Sequence, residues 1–79
     1  MEINTFIQNF FEQLDDTDRD QIAPDVKFKE LDEWDSLTSL SIIAMVDEEY
    51  NVKLTGTDLR DSITIANLFS LVQSRFKVD

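Results

Sequence analysis

The stretch at residues 33–46 reads EWDSLTSLSIIAMV. It opens with acids, an aromatic residue and a serine, and becomes almost wholly apolar after a run of small hydroxyl residues. An acid or a hydroxyl residue directly before an apolar run is the usual N-cap of a helix, so Asp35 or Ser36 is predicted to cap one. The pattern predicts a helix from Ser36 to Tyr50.

Two apolar stripes share this predicted helix. At about 100° per residue, one arc is interpreted as the core face and holds Ser39, Ile42, Ile43, Val46 and Tyr50. The second arc has an apolar centre with polar and acidic neighbours: Leu37, Leu40 and Ala44, flanked by Ser41, Asp47 and Glu48. We call these six residues the docking ridge, because an apolar centre and a charged rim are typical of transient protein interfaces. The alternative is that the ridge touches the long loop or is merely exposed.

Outward from this helix, the chain predicts three further helical segments. The first spans about residues 2 to 14, because apolar residues recur there at three- and four-residue intervals: Ile3, Phe6, Ile7, Phe10, Phe11 and Leu14. After a turn at Gly56, residues 57 to 62 are predicted to form one short helical turn. Thr64 is predicted to cap the last helix, with a buried side made of Ile65, Leu68, Phe69, Val72 and Phe76.

A long connection, about residues 15 to 34, separates the first two helices. A loop of that length needs anchors, and we expect them to be Ile22, Val26, Phe28 and Leu31. Trp34 is predicted to pack on this loop. The pattern therefore predicts one all-α domain over residues 1–79, a small four-helix bundle with three main helices, one short third helix and a long first loop.

The composition excludes several classes of partner. Seventeen acids against seven bases give a formal charge of −10, which repels nucleic acid and anionic lipid headgroups alike. The longest apolar run, residues 42–46, is too short to span a membrane. We expect protein partners with basic docking patches, a monomeric chain and, since no signal peptide precedes the first helix, a cytoplasmic location.

Autonomous catalysis is not expected of this chain. It has no histidine and no cysteine, so Ser36 has no ordinary base to activate it as a nucleophile. Asp16, Asp18 and Asp20 have the spacing of a calcium loop, but Gln21 and Lys27 stand where such a loop needs glycine and glutamate. No metal site is predicted.

Ser36 does offer a hydroxyl at the start of a helix, where the helix dipole favours a phosphate ester. With Asp35 and Leu37 it forms the D-S-L motif, followed by an apolar helix ending in DEEY (residues 47–50) and later by SITI (residues 62–65). These motifs, their spacing and the acidic charge resemble the acyl carrier protein family over nearly the whole chain.

The resemblance implies that Ser36 carries 4′-phosphopantetheine, taken from coenzyme A by a separate magnesium-dependent phosphopantetheinyl transferase. The thiol of that group would hold acyl groups as thioesters and present them to partner enzymes: a loading ligase or synthase, and acyltransferases. This would explain a chain without cysteine. The family sometimes shelters its acyl chain between helices, which would involve Ile42, Ile43, Val46, Leu68 and Phe69. For Trp34, the alternative to packing on the loop is a position beside the phosphopantetheine arm.

The chain departs from the family pattern at several positions. Glu33 and Trp34 precede D-S-L where many members have a glycine, and Thr38 and Ser41 replace acids that are usual in fatty-acid carriers. These differences favour a carrier dedicated to one pathway over the general fatty-acid carrier. Two alternatives remain open: a helical adaptor that is never modified, and an aminoacyl or peptidyl carrier, although the peptidyl signature is missing.

Overall fold

Four helices make up the fold: α1 (Ile3–Phe11), α2 (Ser36–Tyr50), α3 (Gly56–Asp61) and α4 (Ile65–Arg75). The computed structural model describes residues 2–76; the predicted domain bounds of 1–79 include four residues outside that range. Two 3-10 turns, Arg19–Gln21 and Phe28–Glu30, lie between α1 and α2. The described residues contain no strand, so the predicted all-α fold with a long first loop and a short third helix is confirmed.

Helix α1 ends three residues earlier than the apolar spacing predicts. After Phe11 the chain continues as a tighter turn, in which the N–H of Leu14 bonds to the carbonyl of Phe11. The next two N–H groups, of Asp15 and Asp16, bond to the carboxylate of Glu33 instead of to helix carbonyls. The Glu33 side chain thus accepts from two N–H groups that would bond to helix carbonyls if α1 were longer.

The long loop is anchored to the core as predicted. Ile22 and Phe28 are buried, and Val26 and Leu31 are half-buried against the core. The loop also supplies acceptors for the start of α4: the Pro24 carbonyl accepts from the N–H of Ala66 at 2.8 Å, and the Val26 carbonyl accepts from the N–H of Ile65 at 3.0 Å. These bonds satisfy donors that every helix N-terminus leaves unpaired.

The core face of α2 is rotated relative to the predicted arc. Its buried residues are Ile42, Met45 and Val46, whereas Ile43 and Tyr50 are half-buried at the edge. Met45 was absent from the predicted core face, so the predicted orientation of that face was wrong by about one residue. Tyr50 is tied to α1 at this edge, since its hydroxyl accepts a hydrogen bond from the Asn9 side chain at 3.0 Å.

The ends of the later elements follow capping chemistry. Helix α2 ends at Tyr50, and its C-cap, Asn51, adopts a left-handed conformation with φ of 55°. Thr55 caps α3, one residue earlier than the predicted turn over residues 57–62 requires, because the Asp58 carboxylate accepts from the N–H of Thr55 in a reciprocal capping box. Gly56 is therefore the first residue of α3 and not part of a turn. Thr64 caps α4 as predicted.

The interior is rich in aromatic side chains. Phe6 of α1 lies between Phe69 of α4 and Tyr50 of α2, with ring centroids 5.4 Å and 5.8 Å away. Phe76, predicted to be buried, is half-buried against Tyr50. Among residues 2–76, no helix combines the length and the apolar character that crossing a membrane requires.

Candidate functional site

The head of α2 presents Ser36 as a free-standing hydroxyl. Asp35 is the N-cap: its carboxylate accepts a hydrogen bond from the N–H of Thr38 at 2.8 Å, and this bond is the main reason why the pKa of Asp35 is lowered. Ser36 is the first residue of the helix and is exposed. Of the two capping candidates in the sequence, Asp35 caps the helix. The Ser36 hydroxyl is therefore not used for capping and is accessible to a partner.

Glu33 ties this head to the turn after α1. Its carboxylate accepts hydrogen bonds from the N–H groups of Asp15 (2.9 Å) and Asp16 (3.1 Å) and from the Thr17 hydroxyl. The bond from Thr17 contributes most to a lowered pKa of Glu33. On the other side, the main-chain carbonyl of Glu33 accepts from the Thr38 hydroxyl at 3.1 Å.

Sequence reasoning missed this role of Glu33. No local pattern in the sequence indicates this role. The partners of Glu33 are 16 to 18 residues away, and no local spacing rule connects residues at that separation. The contact was therefore beyond what the pattern could predict.

Trp34, which lies between Glu33 and Asp35, packs on two aromatic rings. Its indole stacks on Phe10 with an angle of 6° between the planes, and the Phe28 ring meets it edge-on at 5.0 Å. The prediction that Trp34 packs on the first loop is confirmed. The indole is thus part of the support of the helix head, and it is half-buried and not fully enclosed.

The docking ridge is exposed along its apolar centre. Leu37 and Leu40 are 74% and 61% exposed, and Ala44 is exposed as well. Leu37 and Leu40 are two of the three large hydrophobic side chains that are exposed among the described residues; the third is Ile63. The apolar centre of the ridge is therefore open to solvent, which agrees both with a docking surface and with the alternative of a merely exposed stripe.

The rim of the ridge is only partly free. Glu48 is exposed, and Ser41 is half-buried. Asp47 accepts from the ammonium group of Lys53 at 2.8 Å, in an ion pair whose side chains are 40% and 80% exposed. An exposed pair of this kind contributes little to stability. A cationic group on a partner can replace Lys53 at small cost.

The residues predicted to shelter an acyl chain are core residues. Ile42, Val46 and Leu68 are fully buried, Phe69 is 9% exposed and Ile43 is half-buried. A surface cleft of about 310 Å³ borders the head of α2 instead. Its walls come from α2 and from the long loop: Gln13, Asp15, Asp16, Asp32, Glu33, Trp34, Asp35, Leu37, Thr38 and Ser41. This cleft is polar and acidic, unlike a pocket for a fatty chain.

Among the described residues, Ser36 is accompanied neither by a metal-binding cluster nor by a histidine. No group of three or more His, Cys, Asp or Glu side chains in residues 2–76 is arranged to hold a metal ion. The chain has no histidine to act as a base. What the head of α2 offers is one exposed alcohol on a well-held turn, beside an exposed apolar ridge.

Comparison with known protein families gives one match. A family model described as a phosphopantetheine attachment site matches residues 5–72, which include most of α1, all of α2 and α3, and most of α4. Comparison with curated proteins and with solved structures gave no match. Domains of this family carry covalently attached 4′-phosphopantetheine and generally act as carriers; phosphopantetheinyl transferases and synthetic enzymes interact with them.

Proposed function

Because this chain belongs to the phosphopantetheine attachment-site family, we propose that it is a standalone acyl carrier whose Ser36 bears the 4′-phosphopantetheine group. The observation that carries this proposal is the exposed Ser36 hydroxyl at the first position of α2, beside a cap that Asp35 already provides. An alcohol in that position fits a phosphodiester link, since it is accessible and lies at the positive end of the helix dipole.

The attachment step needs little from the carrier except its position. Ser36 Oγ forms a bond to the phosphorus of the pantetheine phosphate while the pyrophosphate bond of coenzyme A breaks. The 3′,5′-ADP part departs with the bond electrons, and the hydroxyl proton passes to a base. The chain has no histidine, so the transferase supplies that base and the metal ion that offsets the charge of Asp35.

The attached group supplies the thiol that the chain itself lacks, and with it the thioester chemistry of an acyl carrier. The sequence contains no cysteine. The polypeptide therefore contributes position and recognition, and it has no sulfur of its own to compete for the acyl group.

The docking ridge is the proposed recognition surface. Leu37, Leu40 and Ala44 give it an apolar centre, and Asp47 and Glu48 give it an anionic end. A partner enzyme with an apolar groove and a basic margin complements this arrangement. The ridge begins one residue after Ser36, so that a partner seated on it is aligned with the attachment site.

The pathway that fits best is a dedicated one, and the location that fits is the cytoplasm, where coenzyme A is supplied. Thr38 and Ser41 leave the first two turns of α2 without the acids of general fatty-acid carriers. The filled core around Ile42, Val46 and Leu68 also favours a cargo that does not need a large apolar pocket. The acyl pocket around these residues is retained only as a proposal for short acyl groups.

The decisive experiment is an intact-mass measurement of the protein after incubation with coenzyme A, magnesium and a broad-specificity phosphopantetheinyl transferase. Wild type is expected to gain the mass of one phosphopantetheine group, and Ser36→Ala is expected to gain none. Ser39→Ala, a nearby serine on the same helix, is the matched control and should be modified like wild type.

A second readout uses the absence of cysteine. A thiol-reactive dye should label no site before the reaction and one site after it, because the only thiol arrives with the prosthetic group. A folded wild-type chain that gains neither mass nor label would overturn the proposal and favour an unmodified adaptor.

A further inference from the structure

Every residue of the short segment before Ser36 is held by a different part of the chain. Glu33 bonds to residues 15–17, Trp34 packs on Phe10 and Phe28, and Asp35 bonds to the first turn of α2. An N-cap fixes a helix end only with respect to its own first turn. Glu33 is different, because it fixes that turn with respect to the connection after α1.

The bonds of Glu33 use both ends of the residue. The carboxylate reaches the loop, and the main-chain carbonyl accepts from the Thr38 hydroxyl on α2. A side chain without a carboxylate at position 33 would keep this carbonyl bond but could not make the three bonds to the loop. The link between the loop and the head of α2 therefore depends on the Glu33 carboxylate.

The position of Ser36 matters because its oxygen must line up with the phosphorus that it attacks. In group transfer, a displacement of about 1 Å can cost on the order of a hundredfold in rate. The partner meets the docking ridge, which lies on α2. The loop next to α2 forms one wall of the cleft beside Leu37 and Thr38. The head of α2 and the docking ridge must therefore keep a fixed position relative to this loop.

We propose that Glu33 is a positioning residue for the modification of Ser36: through its bonds to residues 15–17 it holds the head of α2, and with it the Ser36 hydroxyl, in the orientation that the transferase requires. This inference rests on the proposed function, since it needs Ser36 to be the modified residue. It goes beyond that function by assigning a role to a side chain that does not itself react.

The test compares the rate of transfer to Ser36 in wild type, in four single variants and in one double variant. Glu33→Gln removes the charge and one of the two accepting oxygens. Glu33→Asp keeps the charge but shortens the reach, and Thr17→Val removes one donor to the same carboxylate. Glu30→Gln is the matched control, because it makes the same chemical change at an exposed residue three positions away. All rates are measured with the transferase at a temperature where each protein is fully folded.

We expect kcat to fall about three- to tenfold in Glu33→Gln and Glu33→Asp, a smaller loss than the roughly hundredfold that a full displacement of about 1 Å can cost. The KM for the carrier should stay unchanged, because the docking ridge is intact. Thr17→Val should show a smaller loss of kcat, and its effect should be smaller in the Glu33→Gln background than in wild type. The amide resonances of Asp15 and Asp16 should shift in the Glu33 variants and stay in place in Glu30→Gln.

Three results would overturn the proposal while leaving Ser36 modified: equal kcat in Glu33→Gln and Glu30→Gln, a normal kcat in Glu33→Asp, or a change confined to KM. The second would assign Glu33 a role through charge alone, and the third would place it in the docking surface. Failure of wild type itself to be modified is a different outcome, since it refutes the proposed function first.

Discussion

The indole of Trp34 lies parallel to the ring of Phe10, with 6.3 Å between the ring centroids and 6° between the planes, two residues before Ser36. Phe28 meets both rings edge-on, at 5.8 Å from Phe10 and 5.0 Å from Trp34. This aromatic cluster joins α1, the long loop and the head of α2. The same residues that complete the core on this side therefore also support the candidate attachment site.

Phe28 is the member of this cluster that belongs to the loop, and it is fully buried. We expect Phe28→Leu to lower the free energy of unfolding by about 1–2 kcal/mol, through lost volume and lost edge-to-face contacts. The corresponding fall in Tm is roughly 5–15 °C for a domain of this size. Trp34 is the only tryptophan, so its fluorescence reports both the unfolding and any local loosening.

The control for this prediction is Ile63→Leu, a change at a side chain that is 57% exposed. It should leave the Tm within a few degrees of wild type. Equal Tm values for Phe28→Leu and Ile63→Leu would contradict the anchoring role of Phe28 in the loop.

The sequence was informative where the signal was local. The start of α2 followed from Asp35 and the apolar run behind it, and the start of α4 followed from Thr64. The α3 boundary was missed by one residue, although T-G-T-D at residues 55–58 contains the capping box that places Thr55 first. That error was avoidable, because the spacing of a capping box is itself a local signal.

The remaining differences arise from contacts between distant residues. The early end of α1 depends on Glu33, whose carboxylate accepts from the N–H groups of Asp15 and Asp16. Periodicity reports which face of an element is apolar, but not which side chain crosses a loop to bond a main-chain donor. Met45 was missed for a related reason: the rotation of a helix that carries two apolar stripes is decided by its neighbours.

The docking ridge gives a prediction about recognition. Leu37→Arg or Ala44→Arg should raise the KM for the transferase and slow transfer to partner enzymes, since a cation replaces an apolar contact that faces a basic patch. The fold should survive, because these positions are exposed and surface changes usually shift stability by about 0.5 kcal/mol or less.

Gln73→Arg is the matched control for the ridge, since it adds the same charge at an exposed position on α4. Its KM and transfer rates should equal those of wild type. If Leu37→Arg and Ala44→Arg behaved like Gln73→Arg in folded protein, α2 would not be the recognition surface.

The acidic composition predicts a salt-dependent stability. A net charge of −10 on 79 residues produces self-repulsion in the folded state, and only two ion pairs bring opposite charges together within residues 2–76. Adding sodium chloride from low to moderate concentration should therefore raise the Tm. A double variant, Glu48→Gln with Glu49→Gln, reduces the net charge from −10 to −8 and should show a smaller rise. A Tm that does not change with salt would contradict this explanation.

The Asp58–Arg75 pair gives a prediction about acid. The Asp58 carboxylate receives two hydrogen bonds from the Arg75 guanidinium, at 2.7 Å and 3.0 Å, and one from the N–H of Thr55. Arg75 is the largest cause of a shift that lowers the pKa of Asp58 from 3.8 to about 2. Because the pKa is lower in the folded protein, the stabilisation is present above pH 3.8 and is lost as the pH falls to about 2.

Arg75→Gln should therefore destabilise the protein at neutral pH and make it less sensitive to acid between these two pH values than wild type is. Arg60→Gln removes the same charge from α3, where Arg60 donates only to the Thr57 hydroxyl among the described contacts. Denaturant unfolding followed by circular dichroism, at neutral pH and near pH 2, checks both variants. The pair would have no such role if wild type and Arg75→Gln lost the same free energy of unfolding over this range, because the lowered pKa of Asp58 requires the two losses to differ.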